Sequence, residues 1–165
     1  MLPLIKKKIK SGEIKNPIIC SPDAGGYQRA FEFTRRLDNV TQVGINKVRP
    51  KANVVGKMDL VGDVEGKDVI IVDDMIDTAG TLCKAVSYLK EKGATSVRAC
   101  ITHPVLSGNA YDNINTSELD ELITTNTISK YDLGKISKEV TVVSCAPQIS
   151  EIIFKLVNNL SLGNK

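Results

Sequence analysis

The stretch Val69-Ile70-Ile71-Val72-Asp73-Asp74-Met75-Ile76-Asp77-Thr78-Ala79-Gly80-Thr81 decides the fold. Its first four residues are all β-branched, the pattern of a strand buried on both faces of a parallel sheet. Two adjacent carboxylates end that run, so the strand must meet solvent or a ligand there. Asp77-Thr78-Ala79-Gly80-Thr81 is small and rich in hydroxyls. Leu82, Ala85, Val86 and Leu89 then follow at helical spacing, with Gly93 placed to stop the helix. The order is strand, turn, helix.

Working outward, the same alternation recurs. Pro17 to Ser21 is a short apolar run that ends in Pro22-Asp23-Ala24-Gly25-Gly26 and enters a helix reaching Leu37. Residues 43–45 form a second strand, leading into the polar, basic, proline-broken segment 47–53, which is expected to be an exposed mobile loop. Residues 58–61 and 69–72 flank a Gly-Asp-rich turn, so a hairpin-like excursion is expected to feed the central strand. Strands at 96–102, 119–125 and 140–144, a short helix after Ser107 and a helix over 147–160 complete the chain. Strands alternating with helices predict an α/β fold with a mostly parallel sheet flanked by helices, residues 1–165 forming one domain.

The 22 basic and 19 acidic residues leave a formal charge of +3, too small for the field of a nucleic-acid binder. The one dense basic cluster, Lys6-Lys7-Lys8 with Lys10, reads as the solvated face of an N-terminal helix. No stretch approaches the roughly 20 apolar residues of a membrane span, and the opening lacks the apolar core of a secretory signal; no membrane association and a cytoplasmic location are expected. Cys20, Cys83, Cys100 and Cys145 are widely spaced without a C-x-x-C pair, the pattern of reduced core thiols.

The chemistry concentrates after the central strand. In open parallel sheets ligands bind beyond the carboxyl ends of the strands. Alternation sends the Asp73 and Asp74 side chains to opposite sides of the strand, where they can accept from a vicinal diol directly or through hydrated Mg²⁺. The turn 77–81 aims backbone N–H groups outward at a helix N-terminus. The hydroxyls of Thr78 and Thr81 add donors, and Gly80 permits close approach, so the turn suits a phosphate. The plainer interpretation makes Asp77 or Thr78 a helix cap and Asp73-Asp74 solvated acids. It fits each residue singly, but a cap requires neither two preceding acids nor a glycine flanked by threonines.

VIIVDDMIDTAGT resembles the phosphoribosyl-pyrophosphate signature of the type I phosphoribosyltransferase fold. Ser21-Pro22-Asp23-Ala24-Gly25-Gly26, Lys47 with Arg49-Pro50, Val61-Gly62-Asp63-Val64, Thr102-His103-Pro104-Val105-Leu106-Ser107-Gly108 and Thr125-Asn126-Thr127-Ile128 narrow the resemblance. In that order they are similar to the C-terminal half of the ribose-phosphate pyrophosphokinases, enzymes of nucleotide biosynthesis, with the N-terminal half outside these 165 residues. The resemblance implies transfer of the diphosphoryl group of ATP to ribose 5-phosphate, with Mg²⁺ as cofactor and a homo-oligomeric assembly. It also implies that Asp73 and Asp74 hold the ribose hydroxyls, that Asp77, Thr78, Ala79, Gly80 and Thr81 cradle the 5-phosphate, and that Asp23 is a Mg²⁺ ligand. Asp23 alone reads equally as a turn residue before a helix.

Lys47 and Arg49 match the family's catalytic loop, whose positive charge offsets the charge developing on the transferred phosphates. Val48 departs from the second basic residue found between these positions in relatives. His103, the only histidine, precludes any multi-histidine metal site and is expected to pack or make a local hydrogen bond. Two alternatives share the same features: a small phosphoribosyltransferase, which would need an aromatic hood over a nucleobase, and a non-catalytic regulatory or binding subunit.

Overall fold

The computed structural model describes residues 1–48, 57–129 and 132–163, apart from the side chains of Lys47, Val48 and Lys57. The described residues form five α-helices, α1 (Leu2–Lys10), α2 (Tyr27–Thr34), α3 (Gly80–Glu91), α4 (Ala110–Thr116) and α5 (Ala146–Val157), and one sheet. Its strands are β1 (Pro17–Ser21), β2 (Thr41–Val48), β3 (Lys57–Val61), β4 (Asp68–Ile76), β5 (Ser96–Pro104), β6 (Glu121–Thr125) and β7 (Glu139–Val143), in the order β3-β2-β1-β4-β5-β6-β7. All neighbours pair in parallel except β2 and β3. The mostly parallel α/β architecture is as expected.

The β-branched run of β4 explains the layering. Val69 and Ile71 project into a core closed by Leu82, Val86 and Leu89 of α3 and Ile114 of α4. Ile70 and Val72 project the other way, against Ile5 of α1 and Ala30 of α2. All four are essentially inaccessible to water. Burying each such side chain stabilises by about 1.5–3 kcal/mol, so the central strand needs no polar support along its length.

The amino-terminal edge of the sheet is held by charge instead. Lys8 is buried, with its Nζ 2.6 Å from Glu13 and 3.1 Å from Glu121. Burial opposes its charge, but those two carboxylates outweigh burial and raise its pKa. Of the lysine cluster, Lys6, Lys7 and Lys10 are exposed as expected. Lys8 departs because its place on the helix faces the buried Glu121, whose charge it shares with Arg98.

Two further expectations change. The segment 58–61 does not form a hairpin with the central strand: β3 runs antiparallel beside β2, with Lys47 opposite Met58, at the edge of the sheet. β4 lies instead between β1 and β5, because a strand apolar on both faces is stable only in the interior of the sheet. The β2–β3 pairing also draws Lys47 and Val48 into β2, while the remainder of the expected loop, 49–53, lies outside the described residues.

Helix α5 is unlike the others. It buries no residue, and Ile149, Ile153, Phe154, Leu156 and Val157 are all more than half exposed. Among the described residues no helix is long and apolar enough to cross a membrane. The cysteines are all free. Burial pushes the Cys20 and Cys100 thiols up to about 12, the behaviour of core residues.

Candidate active site

Between β1 and β4 the strand order reverses, since β1 is followed outward by β2 on one side and β4 by β5 on the other. Such a reversal opens a crevice at the carboxyl ends of the strands. Pairing of β1 with β4 stops at Cys20 and Ile71, whereas β4 stays paired with β5 as far as Ile76 and Pro104. Asp73 and Asp74 therefore lie within β4 and not beyond it. One side is covered by β5, and the other faces the gap left where β1 turns into α2. A cleft of about 450 Å³ occupies that gap. Asp23, Asp73, Asp74 and the whole turn 77–81 line it, so eight of the ten residues singled out from the sequence converge.

The expectation that the two acids point to opposite sides is not met, because both carboxylates reach a single guanidinium. Arg29 of α2 places Nη1 2.8 Å from Asp73 Oδ1 and Nη2 2.7 Å from Asp74 Oδ2. Local hydrogen bonds bring them round: the Asp74 amide donates to Asp73 Oδ1 at 2.9 Å, and the Met75 amide donates to Asp74 Oδ1 at 2.8 Å. Each carboxylate is thus folded back onto the next peptide. Burial raises the pKa of Asp73, and the Asp74 and Asp23 charges raise it further, while the Asp74 amide and Arg29 oppose the shift. Among the described residues that line the cleft, four aspartates accompany the one cationic side chain, Arg29.

At the turn, α3 begins at Gly80 after Ala79, which sits in the left-handed region at φ 63° and makes no side-chain cap. The helix is not capped by the simple Asx or Thr arrangement. The Asp77 carboxylate instead accepts from the Ser107 hydroxyl, and the Asp77 carbonyl accepts from the Ser107 amide at 3.1 Å. Asn113 of α4 donates to the Thr78 carbonyl at 2.8 Å. The first amide to find a carbonyl one helical turn back is Cys83, bonded to Ala79 at 2.9 Å. The amides of residues 80–82 precede any such partner, so the turn presents N–H groups at the positive end of a 12-residue helix. Such a helix start is suited to an anion.

Asp23 also lines the cleft, and one of its oxygens accepts the Gly26 amide at 2.9 Å. The turn-residue role is therefore real and coexists with exposure to the cleft. Lys47 lies in β2 with its side chain outside the described atoms, and Arg49 lies outside the described residues. His103 makes the local contact expected of it, its Nδ1 lying 2.9 Å from the Thr127 hydroxyl. Asn126 accepts the Cys145 amide at 2.8 Å, a structural task.

Arg29, Ser107 and Asn113 escaped the sequence reading. Arg29 is one of several charged residues on an amphipathic helix, and only the fold brings it over β4. Ser107 lies in the stretch 102–108, but nothing in its spacing points 30 residues back to Asp77.

An open α/β sheet with an acid pair at its switch point and a phosphate-type turn after the central strand defines a protein of the type I phosphoribosyltransferase-like fold. Purine phosphoribosyltransferase from Pyrococcus horikoshii, 18% identical at a TM-score of 0.53 over 86% of this chain and 83% of its own, shares that fold. The family profile described as "Phosphoribosyl synthetase-associated domain" matches residues 38–165, and the chain belongs to that family. Similar curated relatives include the ribose-phosphate pyrophosphokinases of Wolinella succinogenes, 50% identical over 94% of this chain and 49% of the relative, and Vibrio parahaemolyticus, 44% identical over 98% and 51%. Phosphoribosylpyrophosphate synthetase from Mycobacterium smegmatis superimposes at a TM-score of 0.82 with 33% identity, covering 96% of this chain and 51% of that one. The chain spans about half the length of the curated relatives it matches.

Proposed function

We propose that this chain supplies the ribose 5-phosphate site of a ribose-phosphate pyrophosphokinase, as one domain of a larger catalytic unit. The convergence of the acid pair and the anion-binding turn in one cleft carries this reading. The amides and hydroxyls of 77–81 would hold the sugar phosphate, and Asp73 and Asp74 would accept from the ribose hydroxyls. The overall reaction then transfers the diphosphoryl group of ATP to the anomeric hydroxyl, breaking the bond between the α- and β-phosphates and releasing AMP. Lys47 and Arg49 would offset charge on the transferred group.

The residues present fit Mg²⁺. Among the described residues no three His, Cys, Asp or Glu side chains form a closed metal cage. Mg²⁺ does not require one, since it keeps several waters and takes one or two carboxylates together with substrate phosphates. Asp23, assisted by the acid pair, offers such hard oxygen donors on a wall that carries excess negative charge. Bound there, the cation would neutralise phosphate charge and orient the groups for in-line displacement. Homo-oligomeric assembly and a cytoplasmic location are inferred from family membership.

Calorimetric titration with ribose 5-phosphate tests the site. Asp73→Asn combined with Asp77→Asn is expected to remove detectable binding, and unchanged affinity would refute the assignment. AMP release from ATP and ribose 5-phosphate by the whole enzyme tests the reaction, whereas diphosphate release with a nucleobase would indicate a phosphoribosyltransferase.

A further inference from the structure

We infer that Arg29 is a positioning residue for sugar recognition, its guanidinium fixing the carboxylates of Asp73 and Asp74 at the spacing that a vicinal diol needs. The inference rests on the proposed ribose 5-phosphate site and names the feature that gives that site its preference for two neighbouring hydroxyls.

Neighbouring strand residues ordinarily send their side chains apart, and two adjacent negative charges repel. Here one planar cation joins them, with a separate nitrogen on each carboxylate at 2.8 and 2.7 Å. Asp74 is then held at both oxygens, by Arg29 and by the Met75 amide. Asp73 is held through Oδ1 alone, by Arg29 and the Asp74 amide. Two acceptors are thereby fixed relative to each other before any ligand arrives, with lone pairs left on each carboxylate.

Stability does not explain the arrangement. The Arg29, Asp73 and Asp74 side chains are 36%, 22% and 49% exposed. The Arg29–Asp74 pair is wetted enough to contribute little to folding, Asp73 loses hydration in making its own pair, and holding three side chains in one geometry costs conformational entropy. Helix α2 is anchored without Arg29, through the buried Ala30 and the partly buried Phe33. Gly26 also fits this role, because a Cβ there would lie 3.3 Å from Arg29 Nη1 and 2.9 Å from Ser21 Oγ, crowding the guanidinium. Only a fork can hold two carboxylates through separate nitrogens; the ammonium of lysine supplies the charge without the spacing.

A site organised for two hydroxyls discriminates against a ligand lacking one, since a prepared acceptor is left unpaired. The test is calorimetry of the wild-type chain, Arg29→Lys and Arg29→Ala with ribose 5-phosphate and with 2-deoxyribose 5-phosphate, circular dichroism melts confirming that each variant is folded. Wild type is expected to prefer the ribose ligand by about tenfold or more. Both variants are expected to lose most of that preference by binding ribose 5-phosphate about tenfold more weakly while holding the deoxy ligand within about twofold. A preference that survives in Arg29→Lys overturns the inference and leaves the site assignment standing, as does an equal loss for both ligands. A wild-type chain without any preference overturns the site's sugar reading and the inference together.

Discussion

Ser107 holds Asp77 twice, its hydroxyl donating to the carboxylate and its amide to the carbonyl, at a separation of 30 residues along the chain. The phosphate-type turn is thus braced by the segment that leaves β5, and its shape does not depend on α3 alone. Removing the hydroxyl leaves the backbone bond in place and frees the carboxylate. Ser107→Ala is expected to weaken ribose 5-phosphate binding by about three- to tenfold, read by calorimetry. Unfolding stability should fall by only about 1 kcal/mol, because both groups are exposed and water replaces the lost partner.

Gly62 follows β3 at φ +110°, a backbone conformation that L side chains rarely adopt, and a Cβ there would lie 2.5 Å from Cγ1 of the buried Val43. Gly62→Ala therefore combines backbone strain with overpacking against a core residue that cannot swing into solvent. We expect a loss of about 2–4 kcal/mol in urea unfolding with an unchanged m-value.

Asp68 opens β4 and is nearly inaccessible. Burial disfavours its charge, but the Ser96 hydroxyl, the Lys15 and Asn16 amides and nearby Arg98 together outweigh that and lower its pKa from the ordinary 3.8. With the folded-state pKa below the unfolded one, the folded chain binds fewer protons in the interval between them. The stabilisation is therefore complete above about pH 4 and is lost as pH falls through the lower value. Asp68→Asn should cost about 1.5–3 kcal/mol at pH 7, and the gap between wild type and variant should narrow below pH 4 in denaturant titrations.

Because α5 buries none of its residues, polar replacement on it removes no core contact. Phe154→Ser with Val157→Ser should leave unfolding stability within about 0.5 kcal/mol and sharply reduce binding of a hydrophobic dye. A large loss of stability would mean that these side chains pack in solution.

Much of this was legible from local pattern. The β-branched run of β4, the apolar spacing of α3 and the small hydroxyl-rich turn each carry their own physics, and seven of the candidate residues that line the cleft lie in or between them. What escaped was long-range. The partner of β3 is decided by which edges of the sheet remain open, which no window of sequence around residues 57–61 contains. The inward turn of Lys8 depends on Glu121, and the convergence of Asp73 with Asp74 depends on Arg29, 44 and 45 residues before them. Side-chain alternation is sound along a regular strand but failed where each carboxylate could bond the next amide.

The parallel pairing of β1, β4 and β5 has a kinetic consequence. The cleft is lined by residues near positions 22–29 and 73–82, its turn is braced from 107 and 113, and parallel neighbours meet only after long loops have closed. In refolding from denaturant, helical ellipticity should therefore recover ahead of sugar-phosphate binding.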